Sequence, residues 1–190
     1  LFKGRVEVGD TLKEGAKTAV AELKNLGMHL VILSGDSPSA VEKTAQEAGI
    51  SQAYGGLLPA GKVEKLEELL QAAPKGTATA FAGDGINDAP VLARADLGIA
   101  MGALGSDAAI EAADVVLMTD EPQKIAAAVR LSRRTLAVVK QNIVFALAVK
   151  AGVMALGVLG LANMWGAVFA DVGVSLLAVA NSLRPLYFKE

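Results

Sequence analysis

Two stretches near the carboxyl end of this 190-residue chain carry almost no charge, and they limit what the chain can fold into. Residues 143–161 contain a single charged side chain, Lys150, and residues 164–183 contain only Asp171. A helix of about 20 apolar residues crosses the hydrocarbon core of a bilayer. Residues 161–163 are suited to turn the chain between the two stretches. The sequence therefore predicts a hairpin of two transmembrane helices.

Composition and charge separate this hairpin from the rest of the chain. The hydrophobic content is 53% and the mean hydropathy is +0.43, which is high for a soluble protein. Residues 1–130 carry 12 Lys and Arg against 18 Asp and Glu, a net charge of −6, whereas residues 131–190 carry 6 against 2, a net charge of +4. The alternative is a soluble protein with two buried core helices. A domain as charged as residues 1–130 does not need that much additional apolar sequence, so we expect a membrane part.

Residues 11–118 alternate between helical and strand patterns. Strands are predicted at residues 28–33, 77–82, 97–101 and 115–118, and helices at residues 11–27, 37–49, 59–72, 87–94 and 108–112. Thr11 and Glu14 are expected to form a capping box at the start of the first helix. Strands and helices that alternate at such short spacing are typical of an α/β fold with a parallel sheet and right-handed crossovers. Polar residues at the strand ends should then meet at one crevice.

The stretch from Phe81 to Pro90 closes an apolar strand with glycines, two carboxylates and a carboxamide. Gly83 and Gly85 allow a sharp bend and a close approach to a ligand. Asp84 and Asp88 supply hard oxygen ligands at the carboxyl end of a parallel strand, an arrangement that suits Mg2+. The alternative interpretation is a polar turn with a helix cap.

Two further strand and helix ends add groups that complement a phosphoryl group. Ser34 offers a hydroxyl and the backbone amides that follow it, and Lys62 offers a positive charge. Catalysis of phosphoryl transfer consists mostly of positioning and charge neutralisation, which these groups supply together with a metal site. Taken singly, Ser34 could be a turn residue, Asp36 a helix cap and Lys62 a solvated helix start. Their combination on one sheet edge favours phosphoryl chemistry.

These residues resemble successive signatures of the phosphorylation domain of P-type ATPases, which has a haloacid-dehalogenase-like fold. The signatures are Ser34-Gly35-Asp36, Leu58-Pro59-Ala60-Gly61-Lys62 and Gly83-Asp84-Gly85-Ile86-Asn87-Asp88-Ala89-Pro90. The last of them is highly specific. Asp10-Thr11-Leu12-Lys13 is similar to the segment where the family's chain re-enters that domain after its nucleotide-binding insert.

The resemblance implies roles for particular residues. Ser34 and Lys62 would contact an aspartyl phosphate, and Asp84 would bind Mg2+. Asn87 and Asp88 would help to hold the phosphate and the metal, with Lys62, Asp84 and Asn87 as the cofactor-binding residues. The implied catalytic residues are Ser34, Gly35, Asp36, Lys62, Asn87 and Asp88. The implied cofactors are Mg2+ and ATP, with the nucleotide-binding domain outside this chain.

The family's phosphate acceptor is missing from this sequence. It lies in an Asp-Lys-Thr-Gly stretch, and no such stretch occurs in these 190 residues. The chain also opens with Leu1, inside a strand-like run. We therefore expect a carboxy-terminal portion of a longer enzyme that is inactive by itself. Its expected parts are a phosphorylation domain at residues 1–121, a connecting helix at residues 122–141 and a membrane domain at residues 142–190.

The apolar helices carry the features that bear on transport. A charge at mid-bilayer depth costs several kcal/mol, so it usually faces a partner. Counted from the turn at about 1.5 Å per residue, Lys150 lies about 16 Å deep and Asp171 about 10 Å, within reach of a lysine stem. A structural ion pair that only orients the helices is the alternative. Asp171-Val172-Gly173, together with Asn142 and Lys150, resembles the zinc, cadmium and lead subgroup of heavy-metal P-type ATPases, which implies that Asp171 binds the transported ion, with Lys150 and Asn142 nearby.

The flanking charges predict an orientation for the hairpin. Basic residues precede the first apolar helix and follow the second, which places both ends on the cytoplasmic side, and Trp165 suits the opposite interface. The basic residues are Arg130, Arg133, Arg134, Lys140, Arg184 and Lys189. The expected location is the plasma membrane. With no cysteine in the chain, a thiolate metal site within it is excluded.

The sequence thus predicts part of an ATP-driven pump that exports Zn2+, Cd2+ or Pb2+. Its expected partners are the ion, the lipid bilayer and the remaining domains of the same pump, and no nucleic acid. One alternative is a membrane-tethered phosphatase of the haloacid-dehalogenase type, for which Asp10 is the candidate nucleophile, although no Asp-x-Asp pattern surrounds it. A second alternative is a non-catalytic domain that serves assembly.

Overall fold

The computed structural model describes residues 12–83, 86–102, 107–161 and 163–187. The chain divides into two compact units, Leu1–Ala126 and Ala127–Glu190. The predicted division into a phosphorylation domain, a connecting helix and a membrane domain stays a prediction.

The first unit is built on two small parallel sheets. Strands β1 and β2 pair in one sheet, with Leu33 opposite Tyr54, and β3, β4 and β5 form the other, with β4 in the centre. The strands are β1 (Val31–Leu33), β2 (Gln52–Tyr54), β3 (Ala80–Gly83), β4 (Leu97–Met101) and β5 (Val115–Leu117). All pairings are parallel, so the carboxyl ends of the strands within each sheet share one edge.

Within the described part of the first unit, five helices accompany these strands, and a 3-10 turn at Ile86–Asp88 follows β3. They are α1 (Ala16–Asn25), α2 (Pro38–Ala48), α3 (Pro59–Ala72), α4 (Ala89–Leu92) and α5 (Asp107–Ala112). Among the buried side chains, Leu92 of α4, Ala100 of β4 and Ala109 of α5 form one cluster, against which Phe81 packs. This packing holds the helix that follows the β3 loop firmly against the sheet.

Local sequence signals locate α2 and α3 correctly. Ser37 caps α2 by accepting a hydrogen bond from the amide of Ala40 at 3.4 Å, Pro38 occupies its first turn, and Gly49 ends it in the left-handed region. Helix α3 runs over the predicted residues 59–72 and buries Leu66 to 2% exposure. Its first turn therefore holds Lys62 at a defined position beside the sheet edge.

The predicted start of the first helix is wrong. Helix α1 begins at Ala16, and its N-cap is Gly15, which has no side chain to accept a hydrogen bond. A Cβ at Gly15 would lie 2.4 Å from Nε2 of Gln123, so a contact with a distant residue occupies the space at this helix end. Thr11, the first member of the predicted capping box, lies outside the described residues.

Three strand predictions also need correction, among them that of β3, which starts at Ala80 instead of residue 77. β1 starts at Val31 instead of residue 28, and β2 was not predicted at all. The Gln-Ala-Tyr sequence of β2 has neither a strand-length apolar run nor alternation. It becomes a strand because its backbone pairs with β1.

The second unit contains the long apolar helices. Helix α6 spans Gln123–Val158 and α7 spans Met164–Ser182, and a 3-10 turn covers Arg184–Tyr187. Both helices are long and apolar enough to cross a membrane, and almost none of their apolar windows is buried inside the chain. The alternative of two buried core helices therefore does not describe α6 and α7. The large exposed apolar surface suits lipid or other protein helices.

The connection between α6 and α7 begins earlier and is longer than the predicted break at residues 161–163. Helix α6 ends at Val158, where the amide of Leu161 donates to the carbonyl of Leu156 at 2.9 Å. Asn163 then caps α7 by accepting from the amide of Gly166 at 2.7 Å. The two apolar helices thus form an antiparallel hairpin.

Candidate phosphoryl and ion-pair sites

Lys62 and Asp88 form an ion pair at the carboxyl edge of β3. Lys62 lies in the first turn of α3 and Asp88 in the 3-10 turn after β3, and Nζ approaches Oδ1 to 2.7 Å. Their side chains are only 16% and 13% exposed, so water screens the pair weakly. A cation and a carboxylate held together at a strand end can position and neutralise a phosphoryl group.

Gly83 provides the space that Asp88 occupies. A Cβ at Gly83 would lie 2.9 Å from Oδ2 of Asp88 and 3.0 Å from the ring of Phe81. Contacts below about 3.0 Å essentially do not occur for real Cβ atoms, so a side chain here would displace the carboxylate. The first glycine of the β3 loop therefore serves a close approach to Asp88.

Ser34 and Asp36 form a second pair at the end of β1. The Ser34 hydroxyl donates to Oδ2 of Asp36 at 2.8 Å, and the Asp36 amide donates to the Ser34 hydroxyl oxygen at 3.2 Å. Their loop is tied to the chain beyond β2, because the amide of Gly56 donates to the Asp36 carbonyl at 2.6 Å and the amide of Leu57 to the Ser34 carbonyl at 3.0 Å. The unpredicted strand β2 thus supports a predicted site loop.

The ends of three strands open on one cavity of about 250 Å³. Its lining includes Leu33 of β1, Gly83 of β3, Met101 of β4, and Asp88. Of the polar residues that the alternating pattern predicts at one crevice, Asp88 lines this cavity, whereas Ser34 and Lys62 are not among its lining residues. The cavity is large enough for a phosphoryl group and its ligands.

Lys13 and Asp120 also line this cavity and form an ion pair with each other, and neither is among the predicted site residues. Asp120 follows β5 by three residues. The rule that identified Asp88, a polar residue just beyond the carboxyl end of a parallel strand, would have found Asp120 as well. Lys13 carries no such signal, because the position opposite Asp120 depends on the fold.

Of the remaining predicted site residues, the structure describes some and not others. Asn87 lies in the 3-10 turn with an exposed side chain, and a Cβ on Gly35 would lie 3.3 Å from the carbonyl oxygen of Leu57. Asp84, the predicted Mg2+ ligand, and Asp10, the nucleophile of the phosphatase alternative, lie outside the described residues.

The oxygen donors at this edge suit Mg2+ when it also binds water and phosphate oxygens. Within the described ranges, no group of three or more His, Cys, Asp or Glu side chains could hold a metal by itself. Mg2+ usually takes one or two carboxylates and completes its shell with water and phosphate oxygens. Asp88 at the strand end, with hard oxygen atoms and neither histidine nor cysteine among the residues that line the cavity, fits that donor set.

In the second unit, the two lone charges of the apolar helices meet. Nζ of Lys150 lies 3.2 Å from Oδ1 of Asp171, and both side chains are more than half exposed in this chain. Asn142 makes its hydrogen bonds elsewhere, to the carbonyl of Ala178 at 3.1 Å and to Asn181 at 2.8 Å. The structure thus pairs Lys150 with Asp171 and places the Asn142 amide in a different set of contacts.

Comparisons with known proteins give a consistent result. A family model described as haloacid dehalogenase-like hydrolase matches residues 2–96. The cadmium, zinc and cobalt-transporting ATPase of Bacillus subtilis is 52% identical over 189 residues, which cover 99% of this chain and 27% of that protein. The zinc-transporting ATPase of Synechocystis is 54% identical over 185 residues, covering 96% of this chain and 25% of that protein.

A solved structure resembles the chain over both units. The crystal structure of a zinc-transporting PIB-type ATPase in its E2.Pi state superposes with a TM-score of 0.85 at 43% identity, and the match covers 94% of this chain and 28% of that one. The chain spans about a quarter of the length of the curated relatives it matches.

Proposed function

This chain belongs to the haloacid dehalogenase-like hydrolase family and is homologous to heavy-metal-transporting P-type ATPases, and we propose from this that it is part of an ATP-driven metal pump. The predicted resemblance and the predicted α/β fold with two apolar helices are therefore confirmed. The whole protein is an ATP-driven pump that exports Zn2+, Cd2+ or Pb2+ through an aspartyl-phosphate intermediate. The homology runs through α6 and α7, which favours a pump over a phosphatase that is merely tethered to a membrane.

The first unit performs the phosphoryl chemistry. Lys62 neutralises charge on the phosphoryl group, and the Ser34 hydroxyl, with the amides of Gly35 and Asp36, donates hydrogen bonds to its oxygens. Asn87 and Asp88 help to orient the group. The 2.7 Å contact between Lys62 and Asp88 supports these roles, because it fixes the ammonium at the strand edge before the phosphoryl group arrives. The aspartate that accepts the phosphoryl group from ATP lies outside this chain.

A magnesium ion fits the same edge. Asp84 would bind it with support from Asp88, and it would supply additional positive charge to the phosphoryl oxygens. Asp88 would support the ion in addition to holding Lys62, which its Oδ1 already contacts. ATP is the expected phosphoryl donor.

The second unit contains the transport site. The main observation in support of this proposal is the ion pair between Lys150 and Asp171. These are the only charges in the two apolar stretches, and they lie 3.2 Å apart. Asp171 coordinates the ion in the loaded state, and Lys150 is then repelled from it. After release, the ammonium returns to Asp171 and discourages the ion from binding again.

The charges and the homology support an orientation and a location for the hairpin. Residues 1–140 and the carboxyl end lie in the cytoplasm, because basic residues flank the hairpin on that side. Trp165, 67% exposed at the start of α7, suits the opposite interface. The pump is a multi-pass protein of the plasma membrane, and its partners are the transported ion, the bilayer and its own remaining domains.

Replacing Asp171 by Ala in the full-length pump tests the transport site. The variant should lose metal-stimulated ATP hydrolysis and export, because the ion loses an anionic ligand at a depth where hydration is scarce. Phosphorylation by inorganic phosphate should persist, since it needs only the first unit and the outside aspartate. The measurements are metal-dependent ATP turnover, vesicle transport and phosphoenzyme formed from inorganic phosphate.

The matched control replaces both charges, as Asp171→Asn with Lys150→Met. If the pair only orients the helices, the damage in the single variant comes from the unpaired charge, and the double variant should export zinc normally. Normal zinc export by the double variant would contradict the proposal that Asp171 is a ligand.

A further inference from the structure

A set of hydrogen bonds joins α6 to α7 at the end of the hairpin opposite its turn. Nδ2 of Asn142 donates to the carbonyl of Ala178 at 3.1 Å and to the hydroxyl of Ser182 at 2.9 Å, and Nδ2 of Asn181 donates to Oδ1 of Asn142 at 2.8 Å. We call these four residues the amide clasp. Three interhelical hydrogen bonds therefore meet at one α6 side chain.

Asn142 is well satisfied within the clasp. A carboxamide nitrogen carries two hydrogens, and both of those of Asn142 have acceptors on α7. Its oxygen accepts from Asn181, whose own oxygen accepts from Arg184 at 3.3 Å. A metal ion at Asn142 would have to compete with these contacts.

The clasp and the ion pair are separated by nearly the same distance along the two antiparallel helices. Lys150 follows Asn142 by eight residues on α6, and Asp171 precedes Ala178 by seven residues on α7. At about 1.5 Å per residue, both separations are roughly 10–12 Å, or two turns. The ion pair therefore lies between two connections of the helices, the turn that follows Val158 and the clasp.

We propose that the amide clasp closes the open end of the hairpin and thereby holds Lys150 opposite Asp171. Asn142 is thus a positioning residue for the transport site and not a ligand of the transported ion. A single polar side chain in a helix interface is known to set register, because any other alignment leaves its donors without acceptors in an apolar environment. The consequence for transport rests on the proposed function, whereas the helix alignment does not.

The alignment is tested by cross-linking the ion pair itself in the full-length protein without metal. A lipid-soluble carbodiimide converts the Asp171 carboxyl group to an O-acylisourea. The Lys150 side chain, after it loses a proton, attacks the acyl carbon as a free amine, forms an amide and releases the urea, and peptide mass spectrometry identifies the amide. Asn142→Ala should lower the yield of the Lys150–Asp171 product at least threefold, about the factor that one interhelical hydrogen bond in a membrane is worth. Asn181→Ala should lower it in the same direction, since it removes one bond of the clasp.

Asn163→Ala is the matched control. It also removes an asparagine hydrogen bond from this hairpin, but that bond lies within the cap of α7 and joins no two helices. Its cross-link yield should equal that of the unsubstituted protein. Absence of the product in the unsubstituted protein, or equal yields in Asn142→Ala and the control, would overturn the proposal.

Kinetics separate positioning from ligation. Asn142→Ala should lower the maximum zinc-stimulated ATP turnover at least threefold, because Lys150 no longer returns promptly to Asp171 after the ion leaves. The half-saturating zinc concentration should not rise, because the ion keeps Asp171 as its ligand. Asn142→Asp should behave like Asn142→Ala, since it lacks both donors. If Asn142 is a ligand, Asn142→Ala raises the half-saturating concentration and Asn142→Asp does not, which would overturn the proposal.

The two proposals fail in distinguishable ways. A cross-link that depends on Asn142 in a protein that does not transport zinc would retain the clasp and reject the proposed pump. Zinc transport together with a cross-link that is independent of Asn142 would support the proposed pump and reject the clasp.

Discussion

At the scale of single residues, the contact between Lys62 and Asp88 makes the sharpest prediction for the first unit. Lys62→Ala leaves the Asp88 carboxylate, 13% exposed, without its 2.7 Å partner. We expect the free energy of unfolding of this unit to fall by about 1–3 kcal/mol, the cost of leaving a shielded polar group unpaired. Phosphoenzyme formation from both ATP and inorganic phosphate should be lost. Thermal unfolding and phosphoenzyme assays of the full-length pump measure the two effects.

Lys65 is the control for Lys62, because it lies one turn further along α3 and also pairs with a carboxylate. Its Nζ contacts Glu68 at 2.5 Å and lies 4.2 Å from the ring centre of Tyr54, and the hydrogen bond to Glu68 raises the pKa of Lys65. The Glu68 side chain is 66% exposed, so Lys65→Ala should change stability little and phosphorylation not at all. Equal effects of the two substitutions would contradict a specific role for Lys62.

At the scale of elements, the loops after β1 and β2 support the site by approaching each other closely. A Cβ at Gly55 would lie 2.7 Å from Cα of Pro38 and 3.0 Å from the carbonyl oxygen of Asp36, and neither backbone atom can rotate away. Gly55→Ala should therefore destabilise the unit by about 1–3 kcal/mol, as overpacking does. It should also slow phosphorylation, since the Ser34 loop must shift. Chemical denaturation and phosphoenzyme assays give the measurement.

Gly61→Ala is the matched control for this element-scale prediction. The nearest atom to its added Cβ is Cδ2 of Leu57 at 3.8 Å, an ordinary contact, and the residue lies within α3. Alanine is favoured over glycine in a helix by about 0.5–1 kcal/mol, so the variant should be equally or more stable. A destabilisation equal to that of Gly55→Ala would show that the loop contact is not the cause.

At the scale of the whole molecule, the missing phosphate acceptor decides what this chain does alone. The purified 190-residue chain should neither form a phosphoenzyme from ATP nor hydrolyse ATP when metal is added, because it contains no Asp-Lys-Thr-Gly stretch. The full-length protein assayed in the same detergent is the positive control. Metal-stimulated ATP hydrolysis by the isolated chain would show that a residue of this chain, such as Asp10, accepts the phosphoryl group.

The sequence by itself determined the elements whose signals are local. Helix α3 (Pro59–Ala72) and strand β4 (Leu97–Met101) match their predictions at both ends, and α2 differs only by its capping residues. Proline at a helix start, glycine at a helix end and a continuous apolar run act within a few residues, so these elements need no distant partner. The same holds for the apolar helices, whose length and hydropathy are local properties.

Only the tertiary structure decided which residues meet. Lys62 contacts Asp88 across a separation of 26 positions, and Lys13 contacts Asp120 across 107 positions. No local sequence pattern encodes contacts at such separations. Strand β2 exists because β1 offers it hydrogen bonds, and α1 begins at Ala16 with Gln123 beside its cap. The acceptors of the Asn142 amide, Ala178 and Ser182, likewise lie on α7, 36 and 40 positions away. In each case the contact energy arises only when folding brings remote segments together, so the chain's local pattern contains the groups but not their partners.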